Sequence, residues 1–337
     1  MADRTKVIET LERVAPGRAS GITVAGDGKV GFVLAVDGLD RAAATNLQAE
    51  VEAAVRVVAG VTGVRAILTA DRGMAPAEPV KAEKPIKRIL AVASGKGGVG
   101  KSTVAANVAV ALAAQGYSVG LLDADIYGPS VPTLLGLSGR ALLENGRLQP
   151  MVAHGIKALS IGMMTDPDKA VVWRGPMAAS AMTQMIDHAD WGELDLLVID
   201  LPPGTGDIQL TMAQKIKPDG AIIVSTPQDL ALIDARKAIS MFAQVDVQVL
   251  GLVENMSVFV CPHCGGHSHI FGEHGAEDEA ARIGVPFLGG IPLHAAIREA
   301  SDAGRPPAAL GTEQAAPYRE IATRVAQRLN LAASRAS

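Results

Sequence analysis

Only two cysteines, Cys261 and Cys264, occur in 337 residues, too few for a disulfide framework. No apolar run approaches the roughly 20 residues that cross a bilayer. Met1 to Lys6 mixes acid with base and leads into no continuous apolar stretch, so a secretory leader is not expected. Charge of one sign is also missing: 31 Lys and Arg against 35 Asp and Glu leave a net charge of −4, and no global field favours nucleic acid or anionic lipid. A cytoplasmic location follows, with neither nucleic acid nor membrane as partner. In that setting two close-set cysteines point to metal or redox chemistry. What the chain does have is apolar content, 48% of its residues, sufficient for a substantial core in one large domain with a smaller companion.

Residues 76–87 hold Pro76, Pro79 and a charged stretch without apolar period, and read as a linker between residues 1–75 and 88–337. Ahead of it the pattern predicts a helix over 7–14, strands over 21–25 and 30–36, a helix over 41–58 and a strand over 64–69, the order of a small α+β domain. Beyond it, apolar strands alternate with helical stretches, which is the form of an α/β domain with a mainly parallel sheet flanked by helices. Strands are expected at 89–93, 119–122, 194–200, 220–225, 247–253 and 287–291, with helices at 177–188, 207–216, 229–242 and 277–283. Leu196 to Ile199 is continuously apolar, so that strand should be buried on both faces. Residues 314–329 put Ile321, Val325 and Leu329 on one stripe. With Tyr318 as its one bulky aromatic, this reads as a helix packed on its own domain rather than a membrane-targeting one.

The stretch Gly95-Lys96-Gly97-Gly98-Val99-Gly100-Lys101-Ser102-Thr103 fits G-x-x-x-x-G-K-[ST] after a strand and opening a helix, which makes it a phosphate cradle. Its glycines let backbone N–H groups turn onto the β- and γ-phosphates, and the helix N-terminus adds favourable partial charge. Lys101 would neutralise phosphate, Ser102 would place its hydroxyl on Mg²⁺, and Thr103 lies within reach of the α-phosphate. Lys96 is extra to the pattern and suits stabilisation of charge during hydrolysis, across a subunit boundary like an arginine finger. The strand ending in Asp200 has the Walker B arrangement, with Asp200 holding Mg²⁺ through water. Next come Pro202-Pro203-Gly204-Thr205-Gly206-Asp207, where Gly204 would bring an N–H to the γ-phosphate and Asp207 would cap the following helix. Asp123 and Asp125 end another strand at the same edge, and Asp123 suits either Mg²⁺ or loop structure.

Cys261-Pro262-His263-Cys264-Gly265-Gly266-His267-Ser268-His269 allows three readings. A zinc site would use Cys261, Cys264 and two of His263, His267 and His269. A redox dithiol lacks the helix such motifs open. A [4Fe-4S] cluster needs four thiolates, which two copies about a twofold axis would supply.

Together GKGGVGKST, DADIYGPSVP, IDLPPGTGD, ENMS and CPHCG resemble the Mrp-type iron-sulfur cluster carriers over residues 87–329. These belong to the deviant Walker A class of P-loop NTPases, with the nitrogenase iron protein and the septum-positioning and partition ATPases. The resemblance implies a face-to-face homodimer in which Lys96 reaches the partner's nucleotide, Asp125 orients the attacking water and Asn255 reads the adenine edge. It further implies ATP and Mg²⁺ as cofactors and a labile [4Fe-4S] cluster bridged by Cys261 and Cys264 of both subunits. The cluster would be delivered to apo-proteins, with scaffold proteins as further partners. Residues 1–75 distantly resemble the small domain fused ahead of such carriers. Val14-Ala15-Pro16-Gly17 stands where an Asp-Pro-Glu type motif is usual, so a docking or regulatory role is expected instead. Val172-Trp173-Arg174-Gly175-Pro176 is also family-like, without an assigned task. Alternatives are a positioning or partition ATPase, in which CPHCG has no purpose, and a zinc-stabilised P-loop ATPase.

Overall fold

A computed structural model describes residues 3–25, 28–36, 41–69, 85–126, 128–144, 147–163 and 175–332. The chain divides into two compact units, Met1–Ala82 and Glu83–Ser337. Tyr127, residues 172–174 and most of the expected linker lie outside the described residues.

The first unit runs α1 (Arg4–Val14), β1 (Ala19–Val24), β2 (Lys29–Ala35), α2 (Arg41–Arg56), β3 (Gly63–Thr69). Asp3 caps α1 by accepting the Thr5 N–H at 2.9 Å. The sheet order is β1-β2-β3, with β2 antiparallel to β1 and parallel to β3. Alternate residues of β2, Val30, Phe32 and Leu34, are buried with Val7 and Leu11 of α1 and Val51 and Val55 of α2, giving this unit its own core.

In the second unit β4 (Ile89–Ala93) leads into α3 (Lys101–Ala114) and β5 (Val119–Asp123). Short elements follow: α4 (Val131–Leu134), β6 (Leu142–Glu144), β7 (Arg147–Gln149), β8 (Met151–Ala153) and β9 (Ile156–Ser160). The chain continues through α5 (Gly175–His188), β10 (Leu196–Asp200), α6 (Asp207–Ile216), β11 (Gly220–Ser225), α7 (Asp229–Gln244) and β12 (Val249–Val260). It finishes with β13 (His267–Ser268), α8 (Gly275–Ile283), β14 (Phe287–Leu293), α9 (Ala295–Asp302), α10 (Pro307–Leu310) and α11 (Ala316–Arg328).

The large sheet has the order β13-β12-β11-β4-β10-β5-β9-β8, with β14 also on β12. All its pairings are parallel except those of β13 and β8, the short outer strands. Both faces are covered, which explains the unbroken apolar runs. Leu196 and Val198 enter one core with α3 and α11, while Leu197 and Ile199 enter the other with α5, α6 and α7. Tyr318, Ile321 and Val325 of α11 are fully buried, so the apolar stripe of that helix faces its own domain.

Four expectations change. Strands β6 to β9 were unforeseen: three of them have three residues each, too short for a period to register, and Leu142 and Leu143 are exposed. Residues 86 and 87 are tied to the second unit, because Ile86 forms an isolated bridge with Leu194 and the Lys87 N–H donates to the Leu194 carbonyl at 2.9 Å. Asp207 is the first residue of α6, and the cap position falls to Gly206 without any side-chain bond. Glu254 to Ser257 do not follow β12 but lie inside it.

Candidate nucleotide site and cysteine segment

Strand register gathers the acids. In the β5·β10 pairing Asp123 stands beside Asp200, and in the β10·β4 pairing Asp200 stands beside Val92. These strands end at one edge, where a doubly wound sheet leaves its crevice, and β4 sends residues 94–100 into it. Ser94 Oγ donates to the Lys96 carbonyl at 2.9 Å and holds the turn. Gly100 closes the loop at φ +81°, and a Cβ there would also run into the Asn255 amide.

The loop surrounds a cavity of about 230 Å³ that brings together Lys96, Gly97, Gly98, Gly100, Lys101, Ser102 and Thr103, with Asp125 opposite. Gly95 and Val99 shape it from behind. Gly95 lies against the backbone of Asp234 in α7, while Val99 buries its side chain and its carbonyl accepts from Asn255 Nδ2 at 2.8 Å. Gly204 differs from expectation. In the nucleotide-free chain its N–H donates to the Ser94 carbonyl at 3.0 Å.

Lys101 is 6% exposed, with Nζ 2.6 Å from Asp200 Oδ1 and 3.7 Å from Asp125 Oδ2. Asp200 is fully buried, and its Oδ2 has no hydrogen-bond partner among the described residues. Burial raises the Asp200 carboxyl above its ordinary range against the pull of Lys101. Burial, followed by the charge of Asp200, raises Asp123 from 3.8 to about 7. Asp123 is engaged in the loop: Oδ1 accepts the Asp125 N–H, and Oδ2 accepts the Val131 N–H and the Ser160 hydroxyl, each at 3.1 Å. Of its two expected roles, loop structure is the one these contacts fill. An orphaned buried carboxylate oxygen near the Ser102 hydroxyl, with two acids facing one lysine, is a donor set that suits a hard divalent cation.

A second cavity of about 300 Å³ shares Gly100 and Thr103 with the first and is lined by Asn255, Met256, Pro292 and Tyr318. Two buried hydroxyls on its wall, Ser301 Oγ and Tyr318 Oη, have no partner among the described residues. Sequence reasoning missed both. Tyr318 belongs to a stripe that reads as ordinary core, and nothing local ties residues 301 and 318 to a loop at 95–103.

Beyond Asn255, β12 continues to Val260 and pairs antiparallel with β13, Phe259 beside Ser268 and Val260 beside His267. Cys261 to Gly266 therefore form the tip of a hairpin. The Cys261 N–H donates to the Gly266 carbonyl, and the Gly265 N–H returns to the Cys261 carbonyl, both at 2.9 Å. Cys261 is half-buried and Cys264 exposed. Hydrogen bonds from the His263 and then the Cys264 backbone N–H lower the Cys261 thiol below its ordinary range, favouring thiolate. No group of three or more His, Cys, Asp or Glu side chains converges to hold a metal ion among the described residues. The four ligands of the one-chain zinc reading are therefore not brought together among the described residues; His267 lies in β13 beside Val260, and His269 follows that strand.

A family model described as ParA: NUBPL iron-transfer P-loop NTPase matches residues 85–329. The iron-sulfur cluster carrier protein of Escherichia coli (strain K12) is 53% identical over 248 residues, 72% of this chain and 67% of that protein. The iron-sulfur cluster transfer protein NUBPL of Mus musculus is 48% identical over 264 residues, 77% of this chain and 82% of that protein. Among solved structures, a nucleotide-binding protein from Archaeoglobus fulgidus in complex with ADP is 44% identical with a TM-score of 0.59, covering 66% of this chain and 88% of that one. The cell division ATPase MinD of Pyrococcus furiosus, 22% identical with a TM-score of 0.55 over 71% of this chain and 98% of that one, shares the fold. Matched over most of its second unit and about half identical to these relatives, the chain belongs to the ParA/NUBPL iron-transfer family of P-loop NTPases.

Proposed function

We propose that this chain is an ATP-hydrolysing carrier, acting in the cytoplasm, whose cargo is an iron-sulfur cluster. A [4Fe-4S] cluster is assembled between two copies and handed to apo-proteins. The observation that carries the reading is that Asn255 of β12 bonds the phosphate loop and the same strand ends at Val260, one residue before Cys261.

Two thiols per chain leave a four-thiolate cluster half complete, and a twofold axis completes it. The exposed Cys264, the thiolate-favouring turn at Cys261 and the lack of a third converging ligand among the described residues support this division. The names of the bacterial and mouse relatives support the cargo.

For the nucleotide, Lys101 leaves Asp200 and turns to the phosphates, while Ser102 and Asp200 hold Mg²⁺. The cation supplies neutralising charge on the phosphate oxygens. Asn255, Tyr318 and Ser301 receive the base in the adjoining cavity. Asp125 orients the attacking water, and Lys96, half-exposed at the cavity mouth, stabilises charge in the partner's site. Clients and scaffolds meet the cluster at the exposed hairpin tip.

Anaerobic incubation with iron and sulfide is expected to give a brown dimer engaging both cysteines of each chain, and a colourless Cys261→Ala protein. An equally coloured variant overturns the cysteine assignment. ATP-dependent binding to lipid or DNA that survives replacement of both cysteines would instead favour a positioning ATPase.

A further inference from the structure

Glu254 is a buried carboxylate that the chemistry above leaves unused, and it sits one residue before Asn255. Successive side chains of a strand leave on opposite faces. Asn255 Nδ2 bonds the Val99 carbonyl in the phosphate loop, whereas Glu254 Oε2 accepts the Ala276 N–H at 2.6 Å in the first turn of α8. That turn offers unpaired amides and positive partial charge, which suit a carboxylate. The cysteine segment leaves β12 after Val260, returns through β13 and enters α8 at Gly275, so Glu254 fastens the first turn after the hairpin to the strand from which the segment departs.

The departing end is irregular. Met256 holds a left-handed φ of +59° inside the strand, and the pairing of β12 with β14 slips between Asn255 and Phe259. A bulge thus separates the nucleotide contact from the hairpin, and bulges redirect a strand. A second contact acts on the same returning end. A Cβ at Gly275 would strike the Pro227 carbonyl; α7 begins two residues after Pro227, and its Asp234 backbone lies against Gly95 of the phosphate loop.

We propose that Glu254 is a positioning residue through which the nucleotide site sets the placement of the Cys261–Cys264 turn. This rests on the carrier reading and names the contact that links its two sites. Movement of the phosphate loop displaces Asn255 and Asp234, and the Glu254–Ala276 bond transmits that displacement to the base of the hairpin.

The test is the rate at which the chain's two thiols react with dithiobis(nitrobenzoate), measured on the full-length apo chain with and without Mg·ADP. Mg·ADP is expected to change the wild-type rate by about fivefold or more, the size of a typical coupling between sites. In Glu254→Ala that ratio falls towards unity while Mg·ADP affinity is retained. Glu254→Gln, which keeps an acceptor for the Ala276 amide, recovers it. A merely structural Glu254 would alter the baseline rate and leave the nucleotide-induced ratio intact. If Glu254→Ala does not fold, Gly275→Ala displaces the same segment by crowding Pro227 and is expected to lose the ratio alike. A wild-type ratio of unity, a full ratio in Glu254→Ala, or a Gln variant that behaves as Ala overturns the proposal. Failure of the carrier reading is separate: the wild-type chain would take up no iron and sulfide even with the thiol response present.

Discussion

Lys101→Met keeps the volume and stem of the lysine and removes its charge. In the nucleotide-free protein Lys101 offsets Asp200, fully buried at 2.6 Å, and Asp125 at 3.7 Å. Deleting one partner of a buried pair costs about 3–5 kcal/mol, because the other charge stays desolvated and unpaired. Protonation limits the loss. Burial already raises the Asp200 carboxyl, so the variant escapes part of the penalty by taking up a proton, and the loss should be smaller at about pH 6 than at about pH 8. Asp200→Asn should cost less than Lys101→Met, since Lys101 retains Asp125. The double variant should be more stable than the sum of the two losses predicts, by about 2 kcal/mol or more. Urea unfolding of the four proteins without nucleotide or Mg²⁺ measures the cycle. Titration calorimetry should show Lys101→Met losing nucleotide affinity by about 10²-fold or more, the scale of a charge-assisted contact in a buried site. Additive losses, or a Lys101→Met protein that binds Mg·ATP normally, would refute the reasoning.

Lys96→Ala should retain nucleotide affinity and lose hydrolysis by about 10²-fold or more, as expected of a cation acting on the transition state; phosphate release set against calorimetric binding checks this, and normal hydrolysis counts against the role. Asp123 carries the pH prediction. Its carboxyl is raised to about 7 in the folded chain from 3.8, so the native state holds a proton that the unfolded state releases. Stability of the nucleotide-free protein should therefore be full near about pH 4, fall as pH rises towards about 7 and then level off. Asp123→Asn should flatten that slope in urea unfolding, and an unchanged slope would place the titration elsewhere.

Local patterns made most of the scaffold legible. The phosphate loop is nine consecutive residues whose neighbours fix strand and helix; α6 over 207–216 and β11 over 220–225 appear where period and length placed them. Elements below the length of a period escaped, as β6 to β8 did. So did the continuation of β12 past residue 253, because it depends on pairing with β13 and β14, which no local signal encodes.

The amino-acid sequence by itself determined the P-loop and the shortage of thiols, since both follow from residue type and short spacing. Only the tertiary structure decided that Lys101 rests on Asp200, that Asp123 braces a loop, and that Tyr318 and Ser301 border a cavity beside the phosphate loop. It alone decided that Glu254 of β12 bonds the first turn of α8. Lys101 and Asp200 are 99 residues apart and Glu254 and Ala276 are 22 apart, and strand register and helix packing, rather than spacing along the chain, bring such partners within hydrogen-bond reach.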